Sequence, residues 1–241
     1  MNPYIQLLAS NKGKGQFKAE KSATEATIYL YDAIVSSDTE AEWYGGVAPK
    51  AFINELKAID APVINLRINS PGGSVFAARA MEQAMRDHKA KIIAHVDGYS
   101  ASAASFLMMA ADEIVMAQGG MVMIHKAWTM AYGNANDLRS QADLLEKIDG
   151  TLVETYANRS NQSAEQIAQW MAGETWFTAD EAIAAGFADR KAETGVKAET
   201  DWDLSAYANV PKQPEQETPP PAKPKFDKDA ALRRLEVRTR I

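Results

Sequence analysis

Hydrophobic and polar positions switch between two periods along the first two thirds of the chain. Residues 27–34 are rich in β-branched and aromatic side chains and predict a first strand; 63–68 and 91–96 predict a second and a third. Between them the period lengthens. Pro49 opens a segment with apolar residues at 52, 53 and 56, and residues 75–85 follow the second strand, so both predict amphipathic helices. The third strand reaches Gly98 and then the small residues Ser100, Ala101, Ser102, Ala103, Ala104 and Ser105, which predicts a tight turn into a buried helix over 102–111. Short strands follow at 113–116 and 121–125, with a turn at 118–120. Strands alternating with helices indicate an α/β layer protein with parallel pairing.

Beyond residue 134 the pattern is helical. Leu138, Ala142, Leu145, Ile148, Leu152 and Tyr156 recur at three- or four-residue steps and predict a long amphipathic helix capped by Asn134 or Asn136. Its other face is charged, so it is expected to project from the body or pack on another subunit. Ser163 caps a helix running to 171, and 178–186 holds a last short helix ended by Gly186. Residues 1–24 are polar, lysine-rich and without periodicity, and are expected to form a mobile arm. A body over 25–192 then gives way to a tail over 193–241, expected to be disordered: six of the ten prolines fall in 211–224, an extended linker before a short basic helix at 229–237.

Charge divides along the same line. The net charge is −6, but residues 211–241 carry eight Lys/Arg against five Asp/Glu, which leaves −9 on residues 1–210. An acidic body argues against a nucleic-acid binder, which needs clustered Lys and Arg. The absence of cysteine excludes disulfides, thiolate catalysis and Cys-based metal sites. No apolar run approaches the roughly 20 residues of a membrane helix, and no signal-peptide core is present, so a cytoplasmic protein is expected.

Candidate chemistry is confined to few positions. A serine at a helix start faces unpaired backbone N–H groups that suit a developing oxyanion, although Ser there is equally the ordinary cap. Gly72 and Gly73, after the second strand, let backbone amides approach a ligand, although a plain turn accounts for them as well. Of the three histidines, His88 lies among charges and reads as solvated, and His95 lies inside a strand and reads as a core or interface residue. His125 closes an apolar strand, where imidazole can emerge at a sheet end and accept a proton near neutral pH.

Taken in order, Ser-Pro-Gly-Gly at 70–73, Gly98 followed by Ala101-Ser102-Ala103, Met-Ile-His at 123–125 and Thr178-Ala179-Asp180-Glu181-Ala182 resemble the Clp-type serine protease family, peptidase family S14, within the crotonase-like superfamily. The resemblance implies a ClpP/crotonase-like α/β fold of repeated β-β-α units with a projecting handle helix over 136–159. It places the nucleophile at Ser102, with Ser100 and Ser105 as nearby alternatives, and the base at His125. Counting back from the 178–186 segment puts Glu174 at the family's aspartate position, with Asp180 or Asp189 as substitutes, and the oxyanion hole at the amides of Gly73 and Ala103. No cofactor or metal is implied. The implied assembly is a homo-oligomer of stacked heptameric rings.

Departures from the housekeeping pattern are Glu174, a short Ser-to-His connection, Trp176-Phe177 and the Pro-linked tail. They resemble the prophage branch, head maturation proteases that trim capsid or scaffold proteins, with a tail that self-cleavage could remove. A degradative protease partnered with a Clp ATPase, a crotonase-like acyl-CoA enzyme and a silent structural ring are the alternatives.

Overall fold

A computed structural model describes residues 2–193 and 202–211. The chain opens with helix α1 (Pro3–Asn11) and strand β1 (Gln16–Lys21), which pairs antiparallel with β2 (Glu25–Tyr31). The first 24 residues, expected as an arm, are therefore built into the body. Asn2 caps α1 by accepting from the Tyr4 N–H, and Leu7 and Leu8 are buried, while Phe17 of β1 meets Phe52 at 6.2 Å. The apolar patch of α1 covers under two turns, too short to show a period by itself.

Helices α2 (Asp38–Tyr44) and α3 (Pro49–Lys57) lead to β3 (Val63–Ser70), helix α4 (Val75–Arg86) and β4 (Lys91–Ala101). Then come α5 (Ala103–Met108), β5 (Glu113–Met116), β6 (Met121–Ile124), α6 (Ala135–Ser160), α7 (Ala164–Ala172), β7 (Thr175–Thr178), α8 (Ala179–Ala184) and β8 (Arg190–Lys191). Strands β2, β3, β4, β5 and β8 pair parallel in that order, as βαβ crossovers require. Apolar residues of these strands and of α3, α4 and α5 form the main core, with Ile28, Leu66, Phe52 and Phe106 at or below 1% exposure.

Strand β4 positions the site. Its first half pairs with β5, through Ile93 to Val96, and its second half pairs with β6, through Tyr99 to Ala101. The predicted turn at Gly98 is therefore corrected. A new partner strand is available from Tyr99 onward, so the backbone stays extended through Gly98 and turns only at Ser102. Helix α5 starts at Ala103 and ends at Met108, short of the predicted end at 111.

Helix α6, 26 residues and about 39 Å long, buries only Leu152, Tyr156 and Ser160 of its second half. Leu138 and Leu144 in its first half stay exposed, so it projects as a handle. Asn134 caps it with a reciprocal Asp137 bond. Among the described residues, no helix is long and apolar enough to cross a membrane.

The last described stretch, 202–211, was expected within the tail. Trp202, Leu204 and Tyr207 are buried against Leu7, Ala101 and Met123, so residues 202–210 belong to the body. The proline-rich linker and the basic helix expected at 229–237 lie outside the described residues.

Candidate active site

Ser102 occupies the turn between β4 and α5 with φ 52° and ψ −119°. A non-glycine residue at such angles costs on the order of 1–3 kcal/mol and is retained where the surroundings enforce it. The enforcing groups are local: the Ser102 N–H donates to the Met123 carbonyl at 2.9 Å, and its own carbonyl accepts from the Ser105 N–H and hydroxyl. Ser102 stands at the N-cap of α5, yet its side chain makes no capping bond. Its Oγ lies 2.7 Å from His125 Nε2 instead.

The neighbouring serines are not so placed. Ser105 Oγ is engaged by the Ser102 carbonyl and the Tyr156 hydroxyl, each at 2.7 Å, and Ser100 Oγ is buried without a partner among the described residues. His88 accepts from the Ala90 N–H, and His95 faces Asn65 across the β3–β4 pair at 3.0 Å.

Gly72 and Gly73 bring a second loop against the serine turn. A Cβ on Gly72 would lie 2.5 Å from the Ala101 carbonyl oxygen and 2.9 Å from Ala103 N, and one on Gly73 would lie 2.0 Å from the Ile34 carbonyl oxygen. Both have positive φ, 90° and 141°. Glycine is therefore a steric requirement here. The bridge to Ile34 uses the Gly72 carbonyl and the Ser74 N–H, so the Gly73 N–H points the other way, with no acceptor among the described residues. Ala103 is the first residue of α5 and has no carbonyl one turn back to bind. The loop and the helix start thus hold free N–H groups beside the serine.

His125 and Glu174 face one another by register. Ile124 of β6 pairs antiparallel with Thr175 of β7, so the next residue outward on each strand is His125 or Glu174. No hydrogen bond joins the two. The Glu174 carboxylate accepts from the N–H groups of Ala208, at 3.0 Å, and Asn209, at 2.6 Å, while Asn209 Nδ2 donates to the Gly173 carbonyl at 2.8 Å. Glu174 itself sits at φ 46°. Burial lowers the His125 pKa to about 4, and the charge of Glu174 acts in the opposite direction. Asp180 is paired with Lys191, and Asp189 with Arg159 and the Ile114 N–H, so neither substitute acid is available.

Tyr207 completes the floor. Its ring stands edge-on to His125, with centroids 5.4 Å apart, and against Trp176 at 6.1 Å; its hydroxyl donates to the Pro71 carbonyl. Burial raises its pKa strongly, and the nearby Ser102 hydroxyl counters this in part. Beside this floor opens a cleft of about 270 Å³, with Val75, Phe76, Trp128 and Leu144 on its walls. The sequence reading missed Tyr207 and Asn209 because the Pro-rich composition was extended back to 193. Trp202, Leu204 and Tyr207, three large apolar side chains within six residues, were the signal of a packed segment.

A serine on a strained strand-to-helix turn, bonded to a histidine and flanked by free amides, is the arrangement acyl transfer uses. The family model described as Clp protease matches residues 24–194. The chain belongs to the Clp protease family. That membership makes it a serine peptidase, and the mixed α/β architecture is the ClpP fold. It is 33% identical over 129 residues to ATP-dependent Clp protease proteolytic subunit 3 of Rhodococcus jostii, which covers 53% of this chain and 64% of that protein. It is 30% identical over 181 residues to proteolytic subunit 2 of Tropheryma whipplei, covering 70% and 97%. Identity to the proteolytic subunit of Deinococcus radiodurans is 31% over 192 residues, covering 77% and 91%. Proteolytic subunits of the family form oligomeric rings, which fits a homo-oligomer here.

Proposed function

We propose that the chain is an endopeptidase in which Ser102 is the nucleophile and His125 the general base. The observation that carries this is the 2.7 Å contact between Ser102 Oγ and His125 Nε2, made by a serine whose position would ordinarily commit its hydroxyl to capping. Ser102 Oγ attacks a substrate carbonyl while its proton passes to His125 Nε2. The oxyanion accepts from the N–H groups of Gly73 and Ala103. His125 returns the proton to the leaving amine, and water then releases the acyl group by the reverse path. Glu174, once free of Ala208 and Asn209, orients the imidazole and stabilises its positive charge.

The substrates are capsid or scaffold polypeptides of a phage head, cut in the host cytoplasm. A glutamate at the acid position, Trp176 against the floor and a Pro-linked basic extension support that reading. The printed names of the relatives favour a second one, a proteolytic subunit partnered with an ATPase. Incubation of the purified protein with a fluorophosphonate tests the chemistry: a covalent adduct on wild type and none on Ser102→Ala is the expected result, and adduct on both removes Ser102 as nucleophile. Cleavage of co-expressed capsid precursor without added ATPase separates the head-maturation reading from the ATPase-partnered one.

A further inference from the structure

The structure assigns Tyr207 a positioning role in the reaction: its hydroxyl clamps the glycine loop through the Pro71 carbonyl while its ring backs the imidazole of His125, so that oxyanion donor and base are held in one frame. Tyr207 lies beyond residues 24–194, the part of the chain that the family model matches. The assignment rests on the reading of Ser102 and His125 given above.

The loop needs such a clamp. Gly72 and Gly73 are both at positive φ, and a pair of glycines lets the peptide planes around it rotate at little steric cost. The direction of the Gly73 N–H therefore depends on what fixes those planes. Ile34 fixes the plane after Gly72, its N–H donating to the Gly72 carbonyl at 2.8 Å. The plane before Gly72 is held by two bonds: Ser70 Oγ accepts from the Gly72 N–H at 3.2 Å, the long end of the hydrogen-bond range, and the Tyr207 hydroxyl donates to the Pro71 carbonyl. The same hydroxyl stands beside that of Ser102, whose effect on the phenol opposes that of burial. The ring meets His125 edge-on with centroids 5.4 Å apart, and Trp176 closes its other side at 6.1 Å. One phenol thus touches the oxyanion loop, the nucleophile and the base.

A side chain can position others only if its own backbone is fixed, and here it is. Trp202 Nε1 donates to Asn69 Oδ1 at 3.1 Å, just before the glycine loop. Asn11 of α1 binds Asp203 on both backbone groups, its Nδ2 donating to the carbonyl and its Oδ1 accepting from the N–H. The Tyr207 N–H then donates to the Leu204 carbonyl at 2.9 Å, and both side chains are buried against Leu7, Ala101 and Met123. Ala101 precedes the nucleophile, and the Met123 carbonyl accepts from the Ser102 N–H, so the segment packs on the residues that hold the serine turn. A phenylalanine would fill the same space. The hydroxyl is what reaches the loop, and it separates a positioning residue from an ordinary core aromatic.

The test compares full-length wild type, Tyr207→Phe, Tyr207→Ala, Trp202→Phe and Ser102→Ala. Two probes are used: p-nitrophenyl acetate, whose hydrolysis gives kcat and KM, and a fluorophosphonate, whose labelling rate reports the serine. Loss of the hydroxyl alone displaces an oxyanion donor without deleting it, so Tyr207→Phe lowers kcat and the labelling rate by about ten- to a hundredfold, short of the loss of a whole donor. KM stays within about twofold, because the contact acts in the transition state. Trp202→Phe loosens the same segment through its bond to Asn69 and leaves kcat at the wild-type value. The ring is read from the acid limb of kcat/KM, which reports His125. That limb stays near pH 4 in Tyr207→Phe and moves up toward 6.5 in Tyr207→Ala as burial is relieved, the charge of Glu174 pulling in the same direction. Wild-type kcat in Tyr207→Phe, or an equal loss in Trp202→Phe, overturns the clamp; an unmoved limb in a folded Tyr207→Ala overturns the backing of His125. In each of these cases labelling that is lost in Ser102→Ala keeps the nucleophile. Labelling that survives Ser102→Ala, or is absent from wild type, overturns the reading of Ser102 and the role of Tyr207 with it.

Discussion

Two turns in this molecule carry a non-glycine residue at positive φ beside His125, one at Ser102 and one at Glu174. They behave differently. The serine turn is fixed on every side by backbone, through the Met123 carbonyl, the Ser105 N–H and the Gly72 loop, and its hydroxyl meets the imidazole directly. The glutamate turn is fixed only up to its Cα, by the β6–β7 register, and its flexible side chain goes to whichever donors are nearest. In the described state those donors belong to 208–209. Nucleophile and base are thus preorganised by the sheet, whereas the acid is left switchable.

The sharpest way to break the comparison is to remove its fixed side. Ser102→Ala is expected to lower peptide turnover on the order of a millionfold with the fold unchanged, since a nucleophile acts with its base as a unit. Near-normal turnover would dissolve the comparison altogether. On the switchable side, Glu174→Gln keeps the shape but removes the charge. In an Asn209→Pro background, which takes one backbone N–H from the carboxylate, it should cost up to about ten-thousandfold in kcat, as loss of an orienting acid does. In the wild-type background the net loss is smaller, because the same change loosens the Ala208 and Asn209 bonds. Equal losses in both backgrounds would show that the grip on Glu174 does not matter. Gly73→Ala is expected to cost roughly a hundred- to a thousandfold, because its Cβ would overlap the Ile34 carbonyl and push one oxyanion donor away.

The difference between the turns also explains what could be read in advance. Ser102, His125 and the two glycines announce themselves locally: small residues after an apolar strand, a histidine at a strand end, a Gly pair before a helix. The alternation of strands and helices was legible for the same reason, since each period lies within a short window. Three features depend on residues far apart in the chain. The continuation of β4 past Gly98 depends on β6, more than twenty residues away. The packing of α1 depends on Asp203, bound by Asn11 across 192 residues. The grip on Glu174 depends on Ala208, 34 residues on. No local period encodes such pairings, and there residues 3–21, expected as a mobile arm, and residues 202–210, expected within the tail, turn out to pack on the body.

The electrostatics of His125 give a smaller effect, in stability. Burial keeps His125 neutral in the folded protein down to about pH 4, whereas in the unfolded chain it takes up a proton near its ordinary value of 6.5. Between those limits the unfolded state binds more protons. This contribution to stability is therefore complete above about pH 6.5 and is lost as pH falls toward 4, at no more than about 1.4 kcal/mol per pH unit. Urea midpoints measured across that window should decline in wild type and decline less in His125→Ala. Parallel slopes would mean that His125 is not held neutral.

The smallest effects come from the two serines that flank the nucleophile, and they have opposite signs. Ser105 Oγ supports the turn by donating to the Ser102 carbonyl and meets the fully buried Tyr156 hydroxyl. Ser105→Ala leaves that phenol without its partner, at a cost of about 1–3 kcal/mol. Ser100 Oγ is buried and has no partner among the described residues, so Ser100→Ala removes a desolvated hydroxyl and should be neutral or slightly stabilising. Thermal or urea unfolding of the two variants measures the contrast, and fluorophosphonate labelling should persist in both. If Ser100→Ala were the more damaging, the support of the nucleophile turn would have to come from β4 rather than from α5.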